Sequence, residues 1–194
     1  MYDPASPILT SRFRNAMQFS LELHELQLRK GTHTPYIAHL LAVTALVLED
    51  GGDEDQAIAA LLHDAVEDQG GLRTLDEIRR RFGEQVAMIV DACSDTYDSP
   101  KPPWQTRKEK YLEHLRVAPQ SVLRVSLADK LHNGRSIVQD LRVSGERTWS
   151  RFNGGKEGTL WYYRSLLAVF QAVSTSKMVS ELERTVEEME SLAR

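Results

Sequence analysis

The sequence predicts an all-α, single-domain helical bundle, and three observations lead to that class. Apolar residues recur at helical spacing along most of the chain, and no run alternates apolar and polar residues as a hairpin would. Breaks fall between the periodic segments, at Pro35, Gly51-Gly52, Gly70-Gly71, Gly83, Pro103 and Pro119. The 194 residues, 41% hydrophobic and 27% charged, suffice for one sizeable core, and no linker, repeat or low-complexity tract divides them. The whole of 1–194 is expected to be one domain, with a core over about 10–173 and a C-terminal helix over about 176–193.

The elements follow in order. A first helix is expected from Thr10 to Arg29, with Phe13, Met17, Leu21 and Leu28 on one face. A turn leads to Thr34, a candidate N-cap before Pro35, and a second helix over Tyr36–Glu49, apolar almost all round and so expected to be buried. Asp53 can cap a third helix running through His63 to Asp68. Thr74-Leu75-Asp76-Glu77 reads as a capping box opening a short helix that stops at Gly83. Further helices are expected over Glu84–Thr96, Trp104–Val117 and Pro119–Leu141, with a polar loop over Tyr97–Pro103. Arg142–Gly158 reads as a long loop of the kind that often forms a lid. Two last helices fit Thr159–Val173 and Ser176–Ala193.

Composition narrows the function. Cys93 is the single cysteine, so an internal disulfide is excluded, which fits a reducing compartment. The longest apolar stretch, Leu40–Leu48, cannot span a bilayer, and the N-terminus lacks the pattern of a signal peptide. A cytoplasmic location is expected, with no membrane partner. The net charge of −4 argues against general nucleic-acid binding. Basic residues still cluster at Arg29-Lys30, Lys101–Lys110 and Arg142–Lys156. Such clusters are usually solvated faces; the alternative is convergence on a phosphorylated small molecule.

The chemistry is suggested by polar residues in apolar surroundings. His63-Asp64 follows Ala59-Ala60-Leu61-Leu62 and precedes Ala65-Val66, then Glu67-Asp68. On one helix, His63 would face Glu67, and Asp64 would face Asp68. Taken alone, this could be a helix end turning polar. His39 interrupts the apolar second helix, and Asp129 interrupts Val125-Ser126-Leu127-Ala128, with Asn133 one turn on. Charged groups are rarely buried without a partner or a metal. Two His and two Asp make a mixed nitrogen–oxygen set that suits Mn²⁺, Fe²⁺ or Co²⁺ better than structural zinc.

The ordered set His39, His63-Asp64 and Asp129 resembles the HD superfamily of metal-dependent phosphohydrolases. Arg29-Lys30, Pro35-Tyr36-Ile37-Ala38-His39, Ala60–Asp68 and Leu127-Ala128-Asp129-Lys130-Leu131-His132-Asn133 are similar to the hydrolase domain of the alarmone (p)ppGpp enzymes, as are Phe82–Val86 and Val90–Asp95. No synthetase domain is expected, which makes the small alarmone hydrolases the nearest class, although Leu40 stands where that family usually has Pro. The resemblance implies an HD-type helical bundle that removes pyrophosphate from the 3′ position of a purine alarmone. It implies His39, His63, Asp64 and Asp129 as ligands of a divalent metal, expected to be Mn²⁺, and Glu67 and Asp68 as catalytic carboxylates. Arg29, Lys30 and Asn133 would line the nucleotide pocket. Lys101, Arg107, Lys108, Tyr162 and the Arg142–Lys156 stretch are further candidate substrate contacts. The expected partner is a small nucleotide, and the final helix, Glu181–Leu192, is a candidate surface for a homo-oligomer. The competing readings are an HD-type phosphatase or nucleotidase acting on another nucleotide or cofactor, and a catalytically silent nucleotide-binding regulator.

Overall fold

Helix α1 (Ser11–Leu23) starts at Thr10, whose side chain accepts the Arg12 N–H. In the computed structural model, which describes residues 8–96 and 100–194, α1 ends at His24 rather than at Arg29. The chain turns back instead: Arg29 N–H donates to the Thr34 carbonyl and Tyr36 N–H to the Gln27 carbonyl. Leu28 and Pro35 pair as an isolated antiparallel bridge. These cross-turn bonds satisfy backbone groups that a longer helix would have used.

Helix α2 (Ile37–Glu49) begins after Tyr36, with Ala38 N–H bonded to the Pro35 carbonyl. Thr34 is therefore not the N-cap. The helix buries one face, His39, Leu40, Val43, Thr44 and Val47, and leaves Leu41 exposed. Helix α3 (Glu54–Leu62) is capped by Asp53, which accepts the Gln56 N–H, and every residue from Ala57 to Leu62 is fully buried. The continuous helix expected to Asp68 is interrupted: His63 and Asp64 form a turn before the single-turn α4 (Ala65–Asp68). Helix α5 (Leu72–Phe82) opens at Gly71 with φ of 64°, three residues before the expected capping box. Thr74 lies inside it and donates its hydroxyl to the Gln69 carbonyl, so the box does not form.

Helices α6 (Glu84–Cys93), α7 (Trp104–Leu115) and α8 (Gln120–Ser144) follow. Tyr97, Asp98 and Ser99, at the start of the expected loop, lie outside the described residues. The expected loop from Arg142 is mostly helical. Helix α8 runs on to Ser144, a 3₁₀ segment covers Gly145–Arg151, and α9 (Gly155–Val173) begins four residues later. Trp149 explains the order, since its ring is buried and ties the segment to the core. Gly154 allows a close approach too, because a Cβ there would lie 2.7 Å from the Trp104 ring of α7. Helix α10 (Lys177–Leu192), capped by Ser176, sets Met178, Leu182, Val186 and Met189 inward. It packs on α8 and α9.

One hydrophobic cluster joins these elements. Helix α3 sits at its centre, packed by α1, α2, α6 and α8. That arrangement brings the first turn of α2, the end of α3 and the middle of α8 to one place. Among the described residues, no helix is long and apolar enough to cross a membrane.

Candidate metal centre and active site

His39 is on the first turn of α2, His63 closes α3, Asp64 is the next residue, and Asp129 is midway along α8. His39 Nε2 lies 3.2 Å from Asp129 Oδ1 and 3.6 Å from Asp64 Oδ2. His63 Nε2 lies 3.1 Å from Asp64 Oδ2 and 3.6 Å from Asp129 Oδ1. One ligand atom each from His39, His63 and Asp129 falls within a 4.8 Å span. Both Nε2 atoms are buried and make no hydrogen bond. The carboxylate oxygens thus stand beside the imidazoles without lying along a hydrogen-bond axis. Buried ring nitrogens are rarely left so, and the group of His39, His63 and Asp129, with Asp64 beside both imidazoles, is suited to a divalent cation.

A further layer orients each donor, as ligating groups require. His63 Nδ1 is 2.8 Å from the Ala60 carbonyl, which places its proton there and frees Nε2. His39 Nδ1 meets His132 Nδ1 at 2.7 Å. Tyr36 donates its hydroxyl to Asp64 Oδ2 at 2.6 Å. Asp129 accepts from Lys130 Nζ at 2.6 Å on one oxygen and from Asn133 Nδ2 at 2.5 Å on the other.

The electrostatics follow from this packing. Burial favours neutral carboxyls, but the His63 charge and the contacts from both imidazoles hold Asp64 well below the usual range. Asp129 is likewise low, burial being outweighed by Lys130 and the two His. Burial opposes charge on His63, and Asp64 and Asp129 overcome it, so its pKa is well raised. His132 is pushed down to about 4 by burial and by its neighbours His39 and Arg29.

Glu67 and Asp68 stand on α4 just past His63 and Asp64. Glu67 takes Lys101 Nζ at 2.8 Å and the Asp95 N–H at 3.4 Å. Asp68 accepts from Gln27 Nε2 at 2.7 Å. It is solvent-accessible, yet the protein around it and the Asp64 charge raise its pKa above that of an ordinary aspartate.

The basic candidates divide into two groups. Arg29 stacks over Tyr36 at 5.6 Å and donates to Asn133 Oδ1 at 2.7 Å, which brings both to the edge of the metal cluster. Arg107 and Lys108 both pair with Asp95, and Lys108 lies 5.2 Å over the buried Tyr162 ring. Lys101 reaches the site through Glu67. The others are placed differently. Lys30 is exposed, and its carbonyl accepts from Arg151 Nη1 at 3.5 Å. Arg142 pairs with Glu188 on α10 and Lys156 with Glu146, so those cations are engaged away from the cluster.

Sequence reasoning missed Tyr36, Gln27, His132, Lys130 and Asp95 as parts of the site. Four of these were adjacent to recognised motif residues and could have been sought there. Gln27 had no signal of its own.

An all-α scaffold that gathers two His and two Asp from three separate stretches, with carboxylates and cations at the rim, defines a metal-dependent phosphohydrolase. Comparison with known proteins agrees. The HD domain family model matches residues 16–160, and the chain belongs to that family. A Xenopus tropicalis protein named guanosine-3′,5′-bis(diphosphate) 3′-pyrophosphohydrolase MESH1 is 39% identical over 138 residues, 70% of this chain and 72% of its own. The human protein of that name is 37% identical over 138 residues, again 70% and 72%. Among solved structures, lmo0812 from Listeria monocytogenes superposes with a TM-score of 0.69 at 29% identity, covering 77% of this chain and 96% of its own. The fold also matches a metazoan orthologue of SpoT described as hydrolysing ppGpp, with a TM-score of 0.75 at 23% identity, covering 94% and 98%.

Proposed function

We propose that this protein removes pyrophosphate from the 3′ position of a purine alarmone nucleotide of the (p)ppGpp type, by divalent-metal-dependent hydrolysis. The observation that carries the reading is the pair of buried, unbonded Nε2 atoms of His39 and His63 facing Asp64 and Asp129. The relatives' names supply the substrate. In this reading all of 1–194 is one HD phosphohydrolase domain, acting in the cytoplasm without nucleic acid or membrane.

His39, His63, Asp64 and Asp129 would hold the cation; the mixed donor set suits Mn²⁺, Fe²⁺ or Co²⁺, and the family resemblance points to Mn²⁺ among them. When bound, that cation supplies Lewis acidity and charge neutralisation at the phosphoryl group. The protein's side chains do the rest. Asp68, its pKa raised by burial and by Asp64, is suited to accept a proton from the attacking water. Glu67, held by Lys101 and the Asp95 N–H, orients that water or returns a proton to the departing 3′ oxygen. The Arg29 guanidinium, 5.6 Å from the Tyr36 ring centroid, can stack on a purine. Asn133 joins that contact to Asp129, while Lys30, Lys101, Arg107 and Lys108 offer charge to the diphosphates, with Tyr162 behind them. Helix α10 spends its apolar face on α8 and α9, so a homo-oligomer would use its charged outer face.

The direct test incubates purified protein with Mn²⁺ and a panel of 3′-pyrophosphorylated nucleotides and identifies the products. Pyrophosphate and the 3′-hydroxyl nucleotide are expected. Cleavage of ordinary nucleoside monophosphates, with every 3′-pyrophosphorylated nucleotide left intact, would overturn the reading in favour of a nucleotidase.

A further inference from the structure

Asp68 ends a single helical turn that is followed by Gly70 and Gly71, with φ of 109° and 64°. A single turn of helix has little power of its own to hold a side chain still. The carboxylate is held from elsewhere. Gln27, 41 residues earlier in the turn after α1, donates its amide N–H to Asp68 Oδ2 at 2.7 Å.

The direction of that amide is over-determined. An ionised carboxylate only accepts hydrogen bonds, and an amide has one donating and one accepting end. Gln27 must therefore turn Nε2 toward Asp68 and Oε1 away. Oε1 meets His24 Nδ1 at 2.7 Å and Gln69 Nε2 at 2.6 Å. A flipped amide would set its oxygen against a carboxylate and its NH₂ against a second NH₂. The same logic fixes His24, which is 3% exposed and must carry its proton on Nδ1. Its Nε2 is buried and has no hydrogen-bond partner, consistent with a bare lone pair there. The His24 ring stacks on Tyr36 with centroids 5.3 Å apart and planes 18° apart. Tyr36 in turn bonds Asp64. One turn of chain, 24–36, thus orients both the ligand Asp64 and the neighbouring Asp68.

From this geometry we infer that Gln27, locked by His24 and Gln69, is a positioning residue for Asp68. The inference rests on the proposed hydrolysis, in which Asp68 handles the attacking water. With Oδ2 occupied by the amide, Oδ1 is left as the free acceptor, aimed by a bond that does not itself touch substrate.

The test uses the full chain loaded with Mn²⁺. Gln27→Met keeps the length and removes the amide. It should lower kcat about ten- to hundred-fold, the usual effect of losing a residue that orients a site group, with KM, bound metal and Tm close to wild type. In an Asp68→Asn background the same change should cost nothing further, because its partner is already disabled. Gln69→Leu, which loosens the amide without removing it, should give a smaller loss of kcat. Independently of substrate, ¹⁵N NMR of the wild type should show the His24 ring protonated on Nδ1, the signal being assigned by its loss in His24→Gln. A ring protonated on Nε2, an undiminished kcat in Gln27→Met, or a full additional loss in the double variant would each overturn the inference. Because the NMR measurement needs no turnover, an inactive wild type sinks the hydrolase reading while the tautomer still decides for or against the network.

Discussion

In the proposed reading His39, His63, Asp64 and Asp129 each supply one corner of the cation site. His63→Ala or Asp129→Ala should therefore lose bound divalent metal and activity together, read by elemental analysis of the purified variants. Asp129→Ala carries a second cost, since it leaves the half-buried Lys130 ammonium without its carboxylate, at most the cost of breaking a fully buried pair. Removing one partner of such a pair costs about 3–5 kcal/mol, so Asp129→Asn is the gentler probe. Full metal occupancy in either substitution rules that residue out as a ligand. Asp68 gives a pH signature. Burial first, then the Asp64 charge, raises its pKa above the ordinary 3.8. A base with a raised pKa is ready only above that raised value, so kcat/KM should fall as pH drops through a limb lying above 3.8. An acid limb at or below the ordinary aspartate value would refute this. The four proposed donors stood out in the sequence because each is charged or polar inside an apolar run. Gln27 was not legible, because its partner Asp68 lies 41 residues away. No spacing rule connects residues that meet only in the folded chain.

Helix boundaries show where periodicity stops being informative. The pattern from Ala57 to Asp68 reads as one continuous helix, yet the helix breaks at His63-Asp64, which turns both side chains toward the cluster instead of along one helical face. The stretch after Arg142 is rich in glycine and mixed charge, which hid the 3₁₀ segment anchored by Trp149. Gly134 is a third case, silent in the sequence and decisive in packing. It lies in the middle of α8, where a Cβ would meet Tyr163 Cε1 at 3.0 Å and Thr185 Cγ2 at 3.1 Å. Two effects compete in Gly134→Ala. Helix propensity favours alanine by up to about 1 kcal/mol, and overpacking costs about 1–3 kcal/mol. Tyr163 is fully packed, 4% exposed, and has little room to retreat. Crowding should win, giving a net loss of about 1 kcal/mol and a Tm lower by roughly 2–4 °C for a chain of this size. Thermal denaturation by circular dichroism decides it, and a Tm at or above wild type would mean that α10 moves aside without strain.

For the whole molecule, the fold class was readable because helical periodicity and one dominant core are properties of the entire chain. What composition could not reveal is that the core closes around charge. The donors come from α2, the α3–α4 turn and α8, elements separated by dozens of residues. Bringing two carboxylates and two imidazoles into a buried cluster costs desolvation, which the ion pairs offset only partly. A cation that binds the folded cluster and not the scattered unfolded ligands should therefore stabilise the whole fold by mass action. At a concentration of about 100 times Kd the gain is about 2.7 kcal/mol. At roughly 2–4 °C per kcal/mol for a domain of this length, Tm should rise by roughly 5–10 °C. Scanning calorimetry of protein stripped with a chelator, then titrated with Mn²⁺, measures it directly. The rise should reverse when chelator returns and should vanish in His39→Ala, whose loss opens one corner of the cluster. A shift of equal size in His39→Ala would place the stabilising cation elsewhere on the molecule, and no shift in the wild type would mean that the four donors do not act together as a metal site.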